Sequence, residues 1–81
     1  MDEGRMAELA KEALADSRRN DCEFVGVRVV GAGVWRIELM DVMLKREPFA
    51  VSVRADAGMP DSEIKDAIRR AVAEHYSIDS Y

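Results

Sequence analysis

Apolar residues recur along the chain with two different periods. In "RMAELAKEALADSRR" the residues Met6, Leu9, Ala10, Ala13 and Leu14 fall at i, i+3, i+4, i+7 and i+8, and Glu8, Lys11, Glu12, Asp16 and Arg19 take the other side. That spacing predicts an amphipathic helix with one buried stripe. Asp2 and Glu3 stand at its positive end and Arg18 and Arg19 at its negative end, as the helix dipole favours, and Asn20-Asp21 marks its stop. A second helix is predicted in "MPDSEIKDAIRRAVAEHY", where Ile64, Ala67, Ile68, Ala71 and Val72 share a stripe. Pro60 suits its first turn, Asp61, Ser62 and Glu63 supply capping and dipole-favoured charge, and Asp66 with Arg70 is an i,i+4 pair on the wet side.

Between the helices the period changes to two. In "CEFVGVRVV" the residues Val25, Val27 and Val29 alternate with Phe24, Gly26, Arg28 and Val30; in "VWRIELM" the residues Trp35, Ile37 and Leu39 alternate with Val34, Arg36, Glu38 and Met40. Alternation rich in β-branched and aromatic side chains predicts half-buried strands. A third strand, "FAVSVRA", aligns Phe49, Val51 and Val53 behind Pro48, a residue that fits the start of an edge strand. The resulting order, α-β-β-β-α, predicts one α+β domain over residues 1–81: a three-stranded antiparallel meander with both helices on one face.

The turn "GAG" at residues 31–33 could open a dinucleotide site. That fingerprint requires a third Gly or Ala and a following helix, whereas Arg36 occupies the third position and a strand pattern follows. A hairpin is therefore expected, with Gly31 to Gly33 as a three-residue loop. In that register Val30 faces Val34, Val29 faces Trp35, Arg28 faces Arg36, Val27 faces Ile37 and Val25 faces Leu39. Val25, Val27, Val29, Trp35, Ile37 and Leu39 then share the inner face. Continued alternation would carry Asp41 onto that inner face, so a bulge or strand end is expected near Met40.

Size and charge narrow the functional classes. A domain of 81 residues gains little net stability from its own core and benefits from association. The net charge of −4 counts against a general nucleic-acid binder. A single cysteine, Cys22, forms no internal disulfide and suits a reducing compartment. The longest uncharged apolar run, Val29 to Trp35, is far short of the ~20 residues of a membrane span. The amphipathic, acidic start is unlike a signal peptide. A cytoplasmic location, without membrane contact, is the expectation.

The outer face carries the candidate sites. Phe24, Val30, Val34, Met40 and Ala50 are expected there as a mixed apolar patch for a protein partner or a second copy in a homodimer, and the first strand offers an undefended edge. Arg28, Arg36 and Arg54 share that face as a candidate anion-binding row, with Glu38 diagonal to Arg28. His75 continues the stripe of the last helix and reads as structural; with Cys22 far away in sequence it makes no ligand set, so no metal and no cofactor are expected. Cys22 has no evident base beside it, and Glu8, Glu12 and Asp16 form a solvated stripe. Asp56, Asp61 and Glu63 lack the spacing of a calcium loop. No enzyme is expected.

The order and length are similar to those of double-stranded RNA-binding domains, a likeness of topology alone. Such domains present basic residues at the start of their second helix, where this chain has "PDSEIKD". The function expected is an interaction or homo-oligomeric module using the outer sheet face, with anion or nucleic-acid binding by the arginine row as the alternative.

Overall fold

A computed structural model describes residues 2–79. Its elements run α1 (Glu3–Asp16), β1 (Cys22–Gly31), β2 (Val34–Asp41), β3 (Pro48–Arg54) and α2 (Asp61–Asp79). The strands form one antiparallel sheet in the order β1-β2-β3. α1 lies along β1, α2 along β3, and the helices touch each other, so both cover the same face.

Each helix is set by local chemistry. The Asp2 carboxylate accepts the Arg5 amide at 2.7 Å and caps α1. The helix stops at Asp16, where Ser17 turns back onto the Ala13 carbonyl and Arg18 takes a left-handed φ of 54°. Arg18 and Arg19 therefore lie beyond the last turn rather than within it. All five residues of the expected α1 stripe are buried, as are Ile64, Ile68 and Val72 of α2. Between the helices, Lys65 reaches Glu12 at 3.5 Å and Asp16 at 3.2 Å, Arg69 approaches Asp16 at 3.7 Å, and Arg5 pairs with Asp61. Two of the three residues of the acidic stripe expected in solvent, Glu12 and Asp16, thus clamp one helix to the other. Exposed pairs of this kind contribute little singly and mainly fix orientation.

The inner face of the sheet is closed by Trp35, Ile37, Leu39, Val51 and Val53. β1 departs from plain alternation twice. Val27 faces Ile37 and Arg28 faces Arg36 as expected, but Phe24 faces Leu39 and Gly26 faces Glu38, leaving Val25 as an extra residue. This bulge moves Phe24 to the inner side, where it is half-buried against the core, and leaves Val25 60% exposed. The expected Val25–Leu39 pair and the placement of Phe24 on the outer patch are both corrected. The glycine following Val25 provides the physical reason: a residue without a side chain lets the strand kink cheaply.

At the hairpin, Gly31 pairs with Val34, so the loop has two residues, Ala32 and Gly33, and Val30 is a second extra residue. The three-residue loop and the Val30–Val34 pair are corrected accordingly. Only Gly33 has a left-handed φ, 69°, and its carbonyl accepts the Ala55 amide at 2.8 Å, tying the hairpin to the end of β3. Ten residues of strand reach ~33 Å while the fourteen of α1 reach ~21 Å. The hairpin end of β1 therefore outruns its helix, and Val29, though opposite Trp35, is 54% exposed.

Asp41 continues the inner alternation, opposite Cys22, and is 3% exposed. β2 does end beside Met40, at Asp41, but the strand end leaves Asp41 facing inward rather than off the core. Asp41 is tolerated inward because its carboxylate accepts the amides of Met43 at 3.0 Å and Leu44 at 2.9 Å, stapling the turn that follows β2.

Candidate functional site

The face of the sheet opposite the helices is bare. Its cross-strand rows run Glu23–Met40–Pro48, Gly26–Glu38–Ala50, Arg28–Arg36–Ser52 and Val34–Arg54. Val34, Met40 and Ala50 are half-buried members of this face. Val30 is 53% exposed beside the hairpin. Of the five candidate interface residues, the structure keeps Val30, Val34, Met40 and Ala50 in this region and removes Phe24. Val25, which the sequence reading placed inside, joins the exposed residues; the signal that could have found it was Gly26, since a glycine inside a strand often marks a bulge.

The three arginines do not form one row. Arg28 and Arg36 face each other, but Arg36 continues to Ser52, and Arg54 stands opposite Val34. Glu38 sits 3.7 Å from Arg28 and 3.8 Å from Arg36, so one carboxylate offsets much of the repulsion between them. Arg54 lines a separate groove with Met59, Glu63, Asp66, Ala67 and Arg70. There Asp66 pairs with Arg69, one turn on, rather than with Arg70 as the sequence suggested.

The end of the sheet far from the hairpin gathers polar and aromatic groups. Cys22 is buried, and the Tyr76 hydroxyl donates to the Asp21 carbonyl at 3.3 Å. Arg19 bonds Asp21 at 2.9 Å and lies over the Tyr76 ring. His75 stacks on Phe49 with centroids 3.9 Å apart, and Tyr76 meets both rings edge-on. His75 is thus brought to the aromatic edge of the core. Burial, then the Asp21 charge, pushes the Cys22 thiol up, which keeps it protonated and a poor nucleophile. Burial likewise raises Tyr76. The Leu44 amide, with those of Met43 and Lys45, lowers Asp41 against the opposing effect of burial. Among the described residues, no group of three His, Cys, Asp or Glu side chains is placed to hold a metal ion. No helix among them is long and apolar enough to cross a membrane.

These shifts set the pH dependence of folding. Asp41 is held low, so its contribution is present above the ordinary aspartate range and lost as pH falls through its folded value. Cys22 and Tyr76 are held high, so theirs is complete below the ordinary thiol and phenol values and lost as pH rises beyond them. Urea midpoints are expected to decline at both ends, with Asp41→Asn lowering the neutral plateau and flattening the acid limb. An acid limb unchanged in Asp41→Asn would contradict the assignment.

No protein-family model matches the chain, and no curated protein or solved structure matches it significantly.

Proposed function

We propose that this protein is a small, non-catalytic interaction module that associates with a second copy of itself through the open face of its sheet. The observation that carries the reading is the one-sided placement of the helices, which leaves an entire sheet face bare, flanked by the exposed Val25 and Val30. Arginine, methionine and aliphatic residues interleave there, a composition typical of protein interfaces. Arg28 and Glu38 give the face both signs of charge, which suits contact with its own copy.

The size of the face sets the strength. Three strands at ~4.8 Å spacing and about eight residues long cover ~370 Å². That is below the ~800 Å² per partner of a stable complex, so the contact is weak, with a dissociation constant in the range of about 10 μM to 1 mM. Sedimentation velocity is expected to show monomer at micromolar and dimer at near-millimolar concentration. Val30→Glu combined with Met40→Glu shifts that equilibrium at least tenfold toward monomer. A chain that stays monomeric throughout, or a double variant that dimerises like the parent, removes the reading. Anion binding draws no comparable support: Glu38 stands between Arg28 and Arg36, and acidic residues open α2.

A further inference from the structure

The groove holding Arg54 lies at the opposite edge of the molecule from Val25 and Val30. It has a volume of about 300 Å³. One wall is the end of β3, an edge strand; the other is a single stripe of α2, with Glu63, Asp66, Ala67 and Arg70 at i, i+3, i+4 and i+7. Met59, half-buried against the core, and Ala67 form its apolar part.

Sheet and helix spacings explain why a groove exists here. Three strands span ~14 Å at 4.8 Å each. Two packed helices need ~20 Å at 8–10 Å between axes. The helices must therefore overhang the sheet, and α2 overhangs β3. The overhang also selects the occupant. A second copy pairing edge to edge along β3 would bring its own α2 to within ~5 Å of this one, closer than helices pack. A bare extended segment has no helix to collide and can slide beneath.

Charge narrows the choice further. Lys65 and Arg69 are taken up by Glu12, Asp16 and Asp66. Arg54 and Arg70 have no ion pair among the described residues, against a single such carboxylate in the groove, Glu63. Arg54 and Arg70 are thus a local positive pair, in surroundings that balance once Lys65 and Arg69 are set against Glu12, Asp16, Glu63 and Asp66. We propose that the edge of β3 and the adjoining stripe of α2 form a docking groove for an extended acidic segment of a partner protein, which adds as a fourth strand. Main-chain hydrogen bonds to β3 supply the affinity, alternate apolar side chains rest on Met59 and Ala67, and carboxylates meet Arg54 and Arg70. Arg54, in the last row of the open face, borders this site, but Met59, Ala67 and Arg70 belong to the groove alone.

The test is amide NMR on the full chain, titrated with an acetylated and amidated octapeptide of alternating valine and glutamate. Saturable shifts are expected in β3 and in residues 63–70, with a dissociation constant below about 1 mM. Arg54→Glu combined with Arg70→Glu is expected to weaken binding at least tenfold with the circular dichroism spectrum unchanged. The same peptide with lysine for glutamate should bind at least tenfold more weakly. Val30→Glu with Met40→Glu should leave the titration intact, which separates this site from the self-association surface. No shifts in β3 at 2 mM peptide, equal binding of the lysine peptide, or parental affinity in the Arg54/Arg70 variant would each overturn the proposal.

Discussion

Phe24→Ala is expected to destabilise the fold by about 1.5–3 kcal/mol, whereas Val25→Ala next to it should fall within about 0.5 kcal/mol of the parent. The contrast follows from the bulge in β1. Phe24 stands opposite Leu39, packs on the core and carries Lys11 over its ring at 5.5 Å, while Val25 is mostly in solvent. A chain of this length has a total stability of only ~4–12 kcal/mol, so the loss at Phe24 removes a large share of it. Urea unfolding of the two variants decides the matter. If Val25→Ala proves the more costly, β1 follows plain alternation and the bulge is misplaced.

Gly33→Val is expected to cost about 1–2 kcal/mol, nearly all of it backbone strain. A β-branched residue at φ 69° carries about 1–2 kcal/mol of backbone strain. An added Cβ would also stand 2.5 Å from Asp56 Oδ1, but that oxygen is the tip of an exposed side chain that can turn away, while the nearest backbone atom, the Ala55 carbonyl oxygen, lies at 4.0 Å. Introducing Asp56→Gly beside Gly33→Val should therefore recover little and leave the strain. A cost below about 0.5 kcal/mol for Gly33→Val alone would mean that the hairpin is not the two-residue turn seen here.

Much of this architecture can be read directly from periodicity. The α1 stripe, the inner Trp35, Ile37 and Leu39, the Arg28–Arg36 pair and the α-β-β-β-α order all follow from spacing, because burial on one side forces a helix or a strand to repeat. What periodicity cannot carry is an insertion of one residue. A bulge inverts every assignment on its far side, and so Phe24 and Val25 exchange faces while Val27, beyond the bulge, keeps its expected partner. Asp41 eludes pattern reading for another reason: a carboxylate facing inward is tolerated when backbone amides saturate it, and those amides belong to a turn that hydrophobicity does not describe.

The candidate site was legible only in part. Val30, Val34, Met40 and Ala50 follow from alternation, but the separation of Arg54 from Arg28 and Arg36 depends on the β2–β3 register and on a groove made by α2. Arg70 enters that groove because Asp66 chooses Arg69, a preference between i+3 and i+4 partners worth only a few tenths of a kcal/mol and invisible in sequence.

The most direct test of an open, self-associating sheet face is methyl NMR with a soluble gadolinium chelate at two protein concentrations. At micromolar concentration the methyls of Val25 and Val30 should relax strongly, and those of Ile37, Leu39 and Ile68 should be shielded. Near millimolar concentration Val30 should gain protection while the core methyls do not change. Strong relaxation of Leu39, shielding of Val25 in the dilute sample, or no gain in protection at Val30 on concentration would contradict the account.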